Sequence, residues 1–180
     1  MADLHVALGT LFSPHAADHE KQAAQNYLNA FKASDGGLHW AITVLDGRNS
    51  PPGSLQEASW WLSADIATFW CRYKAVGPTQ QQLLAALRPR LWAWLQGGQG
   101  LPYFVQSKLA AALASLACLT WPTVYPEFWQ DLQQCLGERH AVGLQLLGAL
   151  LDEYQALSQA TSAGFRGRVR SWLLRWQPSS

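Results

Sequence analysis

Apolar residues recur along the chain at intervals of three and four positions, the spacing that places side chains on one face of an α-helix. Leu4, Leu8 and Leu11 show this pattern near the start. No alternating pattern typical of a strand interrupts it. We therefore predict nine amphipathic helices, at residues 3–12, 14–33, 38–45, 55–75, 79–95, 103–119, 122–136, 140–157 and 164–176.

Gly and Pro separate these helices. The stretch GRNSPPG, residues 47–53, predicts a loop, and Gly77-Pro78 ends the fourth helix. Pro89 should kink the fifth helix unless the chain is split there. Trp121 precedes a proline and so avoids the α region, which predicts that the sixth helix stops there and that Pro122 begins the seventh.

Short turns between so many helices fit a globular bundle or a solenoid of antiparallel helix pairs. Pairs that start near residues 3, 37, 79 and 122 are separated by about 34 to 43 residues, which approaches the period of HEAT-type repeats. We favour an all-α fold of the HEAT-like superhelical type. Residues 1–180 would form a single repeat region, the start of a longer solenoid.

The helix at residues 103–119 is rich in alanine, which keeps its surface thin on several sides. Its core stripe consists of Leu109, Leu113 and Leu116. Neighbouring helices can pack close to such a surface. We expect this helix to lie in the interior, flanked by its pair mate and by the repeats before and after it.

The composition adds few functional clues. Hydrophobic residues make up 49% and charged residues 14% of the chain, and the net charge of +1 gives no general attraction to nucleic acid or to an anionic membrane. Cys71, Cys118 and Cys135 form no CxxC pair and are expected to be buried, reduced thiols of an intracellular protein. The first residues lack the features of a signal peptide, and no membrane span is expected.

Candidate catalytic groups are sparse. His15 and His19 share a metalloprotease-like spacing, but no Glu lies in the position of the base, so two surface histidines are the preferred interpretation. The chain has no GxSxG, P-loop or GxGxxG motif. We expect no enzymatic activity, no metal and no cofactor.

Tryptophan is enriched at protein interfaces, so each Trp on the helices is a candidate contact residue. Trp61 and Trp70 lie on the apolar stripe of their helix and are predicted to be core residues. Trp60 and Trp92 fall off their stripes. These two are the candidates for outside contacts or for packing between repeats.

The last predicted helix has a basic face of four arginines beside an apolar stripe. A buried helix with a solvated basic face is favoured over a nucleic-acid or anionic-lipid patch. The arginines are Arg166, Arg168, Arg170 and Arg175, and the stripe is Phe165, Val169, Trp172, Leu173 and Trp176. With no second helix to cover this stripe, we expect the chain to need further helices or to self-associate.

Residues 107–132, SKLAAALASLACLTWPTVYPEFWQDL, combine a Lys-Leu-Ala helix, a Trp-Pro step and a Phe/Trp-Asp-Leu helix. In this pattern the chain resembles the importin-β superfamily, and most closely the exportins. The run LPYFVQSKL and the later VGLQLLGALLDEY, with its acidic pair Asp152-Glu153, look like the exportin subfamily that carries the actin–profilin complex. The resemblance extends in helix order from LGTLFSPHAADHEKQAAQNYLNAF to RGRVRSWLL.

The resemblance implies a shuttling transport receptor of nucleus and cytoplasm. Such a receptor would bind the GTP form of Ran, nucleoporins and a protein cargo such as actin–profilin. The Ran surface would lie on the inner, second helices of the pairs, at residues 14–33, 57–75, 103–119 and 140–157. On this geometry, the candidate contact residues are polar residues that lie off the apolar stripes, namely Glu20, Asn26, Asp65 and Gln106. The alternative is a HEAT-type scaffold without Ran dependence.

Overall fold

The computed structural model describes residues 2–47, 55–74, 77–97, 101–122 and 124–159, and the predicted helix at 164–176 lies outside these ranges. The described residues are helical and contain no strand, which confirms the all-α class. They form nine α-helices: α1 Ala2–Phe12, α2 Asp18–Lys32, α3 Asp35–Leu45, α4 Leu55–Phe69, α5 Pro78–Ala85, α6 Arg88–Gly97, α7 Tyr103–Thr120, α8 Phe128–Glu138 and α9 His140–Gln159. A π-helical turn, Trp70–Lys74, continues α4.

Side chains at the helix starts fix two of the boundaries. The second helix begins at Asp18 rather than at the predicted Pro14, and the Glu20 carboxylate accepts a hydrogen bond from the Ala17 N–H at 2.8 Å. The Ser34 hydroxyl oxygen accepts a hydrogen bond from the Gly37 N–H at 3.0 Å and so caps α3. Each bond satisfies a backbone donor that the helix itself leaves without a partner.

Helices that follow one another in the chain pack together as α1 with α2, α3 with α4, α6 with α7, and α8 with α9. Across these units, α4 packs extensively on α7, and α7 packs on α9. Pro89 lies at the second position of α6, so the predicted fifth helix is split into α5 and α6. The ring of a proline is tolerated in a first helical turn, where its missing N–H would have no partner in any case.

The helices α2, α4 and α7 run in the same direction. Phe12, at the end of α1, contacts Trp61 near the start of α4, so α2 begins beside that end and its last residue, Lys32, reaches Asp65. Lys108, near the start of α7, also binds Asp65. Because these contacts follow chain order in each helix, the three helices form one layer with a common polarity.

The alanine-rich helix α7 lies at the centre of the core, as predicted. Most of its residues are buried, and α4, α6 and α9 pack against it. By length and composition alone, α7 is the one helix of the described residues that could cross a membrane. Its position between α4 and α9 accounts for that composition, since a core helix needs the same apolar surface.

Two sequence predictions near α7 are settled by the structure. Of the two alternatives for Trp92, outside contact is wrong, because the side chain is buried and its indole N–H donates to the hydroxyl of Tyr125 in the segment between α7 and α8. The peptide bond between Trp121 and Pro122 is cis, and α8 begins at Phe128 rather than at Pro122. A helix from Pro122 would place Pro126 inside it, where the ring removes a backbone hydrogen bond and clashes with the preceding turn.

The other Trp and Cys predictions fare better. Trp70 is buried, whereas Trp61 is only half-buried, and Trp60 is half-buried against Trp94 with ring centroids 4.7 Å apart. The three cysteines form no disulfide. Cys71 and Cys135 are buried, as expected, and Cys118 is half-buried.

Candidate protein-interaction surface on α4

Four residues of α4 and its π-helical turn lie four positions apart and face the space between α2 and α7. They are Trp61, Asp65, Phe69 and Tyr73, and we call them the α4 strip. The first three are half-buried, and Tyr73 is exposed. Residues at this spacing share one helical face. The strip therefore presents a carboxylate between aromatic rings at the surface of the α2, α4 and α7 layer.

Two lysines from the neighbouring helices hold the carboxylate of the strip. The Lys32 ammonium of α2 lies 2.9 Å from Asp65 Oδ2, and the Lys108 ammonium of α7 lies 2.6 Å from Asp65 Oδ1. Burial by itself would raise the pKa of Asp65, but the hydrogen bonds and charges of Lys108 and Lys32 outweigh it and hold that pKa below its usual 3.8. Asp65 therefore stays ionised and ties α2, α4 and α7 together.

Each of the two lysines also lies over an aromatic ring of the strip. The Lys32 ammonium is 5.4 Å from the Phe69 ring centroid, and the Lys108 ammonium is 5.3 Å from the Trp61 centroid. A cation over a ring face at this range is attracted by the quadrupole of the ring. The ion pairs and the rings together fix both ammonium groups above the strip.

Aromatic side chains from α1 and α7 extend the strip at the end where α4 begins. Phe12 packs edge-on against Trp61 with centroids 5.7 Å apart, and it lies 6.4 Å from Phe104. Phe12 and Phe104 are both exposed, and the neighbouring Tyr103 is 75% exposed. At the other end, Phe69 and Tyr73 have centroids 5.4 Å apart. Aromatic surface thus borders the lysines on both sides.

A second charged cluster lies below the strip and is largely closed to solvent. The Glu153 side chain is 2% exposed, and its Oε1 accepts hydrogen bonds from the Arg72 guanidinium, with Nε at 2.7 Å, and from the Ser115 hydroxyl. Burial raises the pKa of Cys118 to about 12, and it raises the pKa of Cys71 further, with the Glu153 charge adding to both effects. Both thiols stay protonated, so the cluster has a structural role and offers no nucleophile.

The four predicted contact residues do not converge on one point. Asp65 lies at the centre of the strip, but its carboxylate is already paired. Glu20 is exposed and caps α2, and the Asn26 amide oxygen accepts a hydrogen bond from Gln22 at 3.1 Å. Gln106, half-buried on α7, donates to the Leu101 carbonyl at 3.0 Å. Within the described part of the chain, no hydrogen bond joins any of the four to another.

The histidine pair is exposed and holds no ion-binding arrangement. His15 and His19 lie outside the protein interior, His15 just before α2 and His19 in its first turn. Among the described residues, no group of three or more His, Cys, Asp or Glu side chains could hold a metal ion.

Sequence reasoning missed Lys32 and Lys108, because each comes from a different helix and only the folded layer brings them to Asp65. It also treated Glu153 as part of a family motif rather than as the buried partner of Arg72. One signal was available. The spacing of Trp61, Asp65, Phe69 and Tyr73 in the sequence already marks a common helical face.

With this geometry in hand, the chain was compared with known proteins. No protein-family model, no curated protein and no solved structure matches it. The resemblance to the importin-β superfamily therefore depends on the motifs of residues 107–132 and 142–154 and on the order of the helices.

Proposed function

We propose that this chain is a HEAT-like segment of an exportin-type nuclear transport receptor. It binds the GTP form of Ran and moves between nucleus and cytoplasm. The support is of two kinds: the exportin-like motifs of the sequence, and a layer of co-directional helices that exposes an ordered surface. Cargo, such as actin–profilin, and nucleoporins would bind other surfaces of the receptor.

The observation that carries the proposal is the α4 strip with its two lysines. Surface side chains usually move freely, but here Asp65, Lys32 and Lys108 hold one another in place across three helices. Aromatic rings and fixed charges are the groups that contribute most to protein interfaces. A surface ordered before binding loses less conformational entropy when a partner arrives.

The α4 strip and its two lysines lie on α2, α4 and α7, which are three of the four helices expected to face Ran. Asp65 acts there by positioning Lys32 and Lys108, so the contact that it was predicted to make passes to the lysines. Gln106 lies two residues before Lys108 on α7, a spacing at which helical side chains do not share a face, so it lies beside the lysine surface and not on it. Glu20 and Asn26 lie further toward the start of α2, so they would contact the edge of a bound protein.

The test is capture of purified Ran by the immobilised full chain, with Ran loaded with GTP or with GDP. We expect capture of the GTP form and little of the GDP form. Tyr73→Ala, which removes an exposed ring of the strip, should reduce capture. The matched control, Val6→Ala, removes an exposed apolar side chain on α1, outside the helices expected to face Ran, and should leave capture unchanged.

Equal capture of the two nucleotide forms, or none, would contradict the proposal. The second candidate, a protein-interaction scaffold without Ran dependence, would then account for the ordered strip. Glu20→Lys separates the edge of the surface from its centre, because Glu20 lies at the start of α2 and Tyr73 at the far end of the strip. We expect a smaller loss for Glu20→Lys than for Tyr73→Ala.

A further inference from the structure

We infer that the α4 strip binds an acidic amphipathic helix of a protein partner. Carboxylates of that helix meet Lys32 and Lys108, and its apolar side chains pack on Trp61, Phe69 and Tyr73. This inference depends on the proposal that the strip binds a protein, but it does not require the protein to be Ran. Three features of the strip indicate this kind of partner: its charge, its unused hydrogen-bond donors and its spacing.

The charge at the centre of the strip is positive. Two ammonium groups surround the single carboxylate of Asp65, which leaves one net positive charge there. Lys74, exposed beside Tyr73, adds a positive charge at one end, and Glu57, exposed one turn before Trp61, adds a negative charge at the other. The remaining cation of that turn, Arg72, is neutralised by Glu153 below the surface. A partner with carboxylates would therefore be attracted, and a basic one would be repelled.

Both lysines retain hydrogen-bond donors for a partner. An ammonium group has three N–H donors, and within the described structure Lys32 and Lys108 each spend one of them on Asp65. Their side chains are 22% and 35% exposed, so the other donors can reach an incoming carboxylate. Because Asp65 and the rings already hold both side chains, little further ordering is needed on binding.

The length of the strip determines the length of helix that can bind along it. From Trp61 to Tyr73 the strip extends over roughly 18 Å at the rise of a helix, which matches an amphipathic helix of about 12 to 14 residues. The ammonium groups lie near the middle, and aromatic rings lie at both ends. A helix with acidic residues in the centre and large apolar residues toward its ends is complementary to this order.

The test titrates the full chain into a fluorescein-labelled peptide of about 14 residues, with Leu and Glu at helical spacing, and follows fluorescence anisotropy. A second peptide carries Lys in place of Glu. We expect the Glu peptide to bind and the Lys peptide to bind at least about tenfold more weakly. Binding of the Glu peptide should weaken as salt rises from about 50 to about 300 mM, since screening shortens the range of the charges.

Variants identify the site. The double variant Lys32→Gln/Lys108→Gln should weaken the Glu peptide by about tenfold or more, because hydrogen bonds to charged groups are lost. Lys21→Gln, also on α2 but outside the strip, is the matched control and should bind as the wild type does. If the double variant misfolds by circular dichroism, the exposed position Tyr73→Ala supplies the same test.

Unchanged affinity in a folded double variant and in Tyr73→Ala would overturn the inference, as would equal binding of the Lys peptide. Stronger competition by inorganic phosphate or by a single-stranded oligonucleotide than by unlabelled Glu peptide would also overturn it. The peptide assay contains no Ran. Peptide binding without capture of Ran would therefore refute only the proposed function, and capture of Ran without peptide binding would refute only this inference.

Discussion

Glu153 on α9 accepts hydrogen bonds from Arg72, 81 residues earlier in the chain, and this pair joins the last described helix to the turn that follows α4. Ser115 on α7 donates to the same carboxylate oxygen. A single buried oxygen thus links three helices. The Glu153 carboxylate is withdrawn from water. The protein therefore tolerates this buried charge only while its hydrogen-bond partners are present.

Glu153→Gln should destabilise the protein by about 1 to 3 kcal/mol, because the Arg72 cation loses its counter-charge, while water screens part of this loss at a side chain that is 34% exposed. Urea unfolding at neutral pH measures this change. Asp152→Asn is the matched control, since Asp152 is the exposed neighbour on the same helix, and it should shift stability by less than about 0.5 kcal/mol. Equal effects of the two substitutions would show that the buried pair contributes nothing specific.

Tyr125→Phe should destabilise the protein by about 1 to 3 kcal/mol, because the buried Trp92 N–H would lose its acceptor. The same hydroxyl donates to Asp131 at 2.5 Å, so α8 is affected as well. Thermal unfolding of the variant and the wild type measures the loss. Tyr103→Phe, at an exposed position, should leave the melting temperature unchanged, and a comparable loss there would argue against the hydrogen-bond explanation.

The ion pairs of Asp65 should make stability depend on pH in acid. Its pKa lies below 3.8 in the folded protein, because the Lys108 and Lys32 hydrogen bonds outweigh burial, so its stabilisation is complete above that value. The contribution is lost as pH falls through the folded pKa. Asp65→Asn should therefore cost about 1 kcal/mol at neutral pH and progressively less below about pH 4.

A double-mutant cycle isolates this effect. In the background Lys32→Gln/Lys108→Gln, the carboxylate has lost both cations and burial alone acts on its pKa, so Asp65→Asn should no longer remove stabilisation at neutral pH, and the effect of pH on the difference should reverse in sign. Denaturant unfolding of the four proteins between about pH 3 and pH 7 gives the comparison. If Asp65→Asn still costs stability at neutral pH and less in acid without the lysines, the effect belongs to another group.

Gly143→Ala should destabilise the protein by about 1 to 3 kcal/mol, because a Cβ atom there would lie 2.8 Å from Leu136 Cα and force α8 and α9 apart. Gly148→Ala, in the same helix, meets no atom within 4 Å and should stabilise the protein by up to about 1 kcal/mol through helix propensity. Chemical unfolding of the two variants tests both signs. A gain at both positions would mean that the helices have room to adjust.

Local sequence pattern was sufficient for most of the helices. The apolar spacing placed α1, α3, α4, α7 and α9 within a few residues of their observed bounds, because each has a single buried face or a clear end signal. The pattern left two roles open for Trp92, and only the fold shows that Tyr125, 33 residues later, buries it. Pro126 overrode the start signal at Pro122.

The candidate surface was less predictable, for a physical reason. Asp65 was chosen as an isolated polar position, but its role depends on Lys32 and Lys108, which lie 33 and 43 residues away in the chain. No local periodicity contains such pairings. They follow only from the order and direction in which α2, α4 and α7 pack.

The common direction of α2 and α4 affects the electrostatics of the surface. The peptide dipoles of α2 and α4 point the same way, and their termini carry the side chains that such dipoles favour. Asp18 and Glu20 begin α2 and Lys32 ends it, while Glu57 begins α4 and Lys74 ends its π-helical turn. Along α2 and α4 the side-chain charges thus run from acidic at the start to basic at the end, opposite in sign to the helix dipole at each terminus. A helix bound there would feel a different energy in each of its two orientations, so the surface can select one direction of its partner chain.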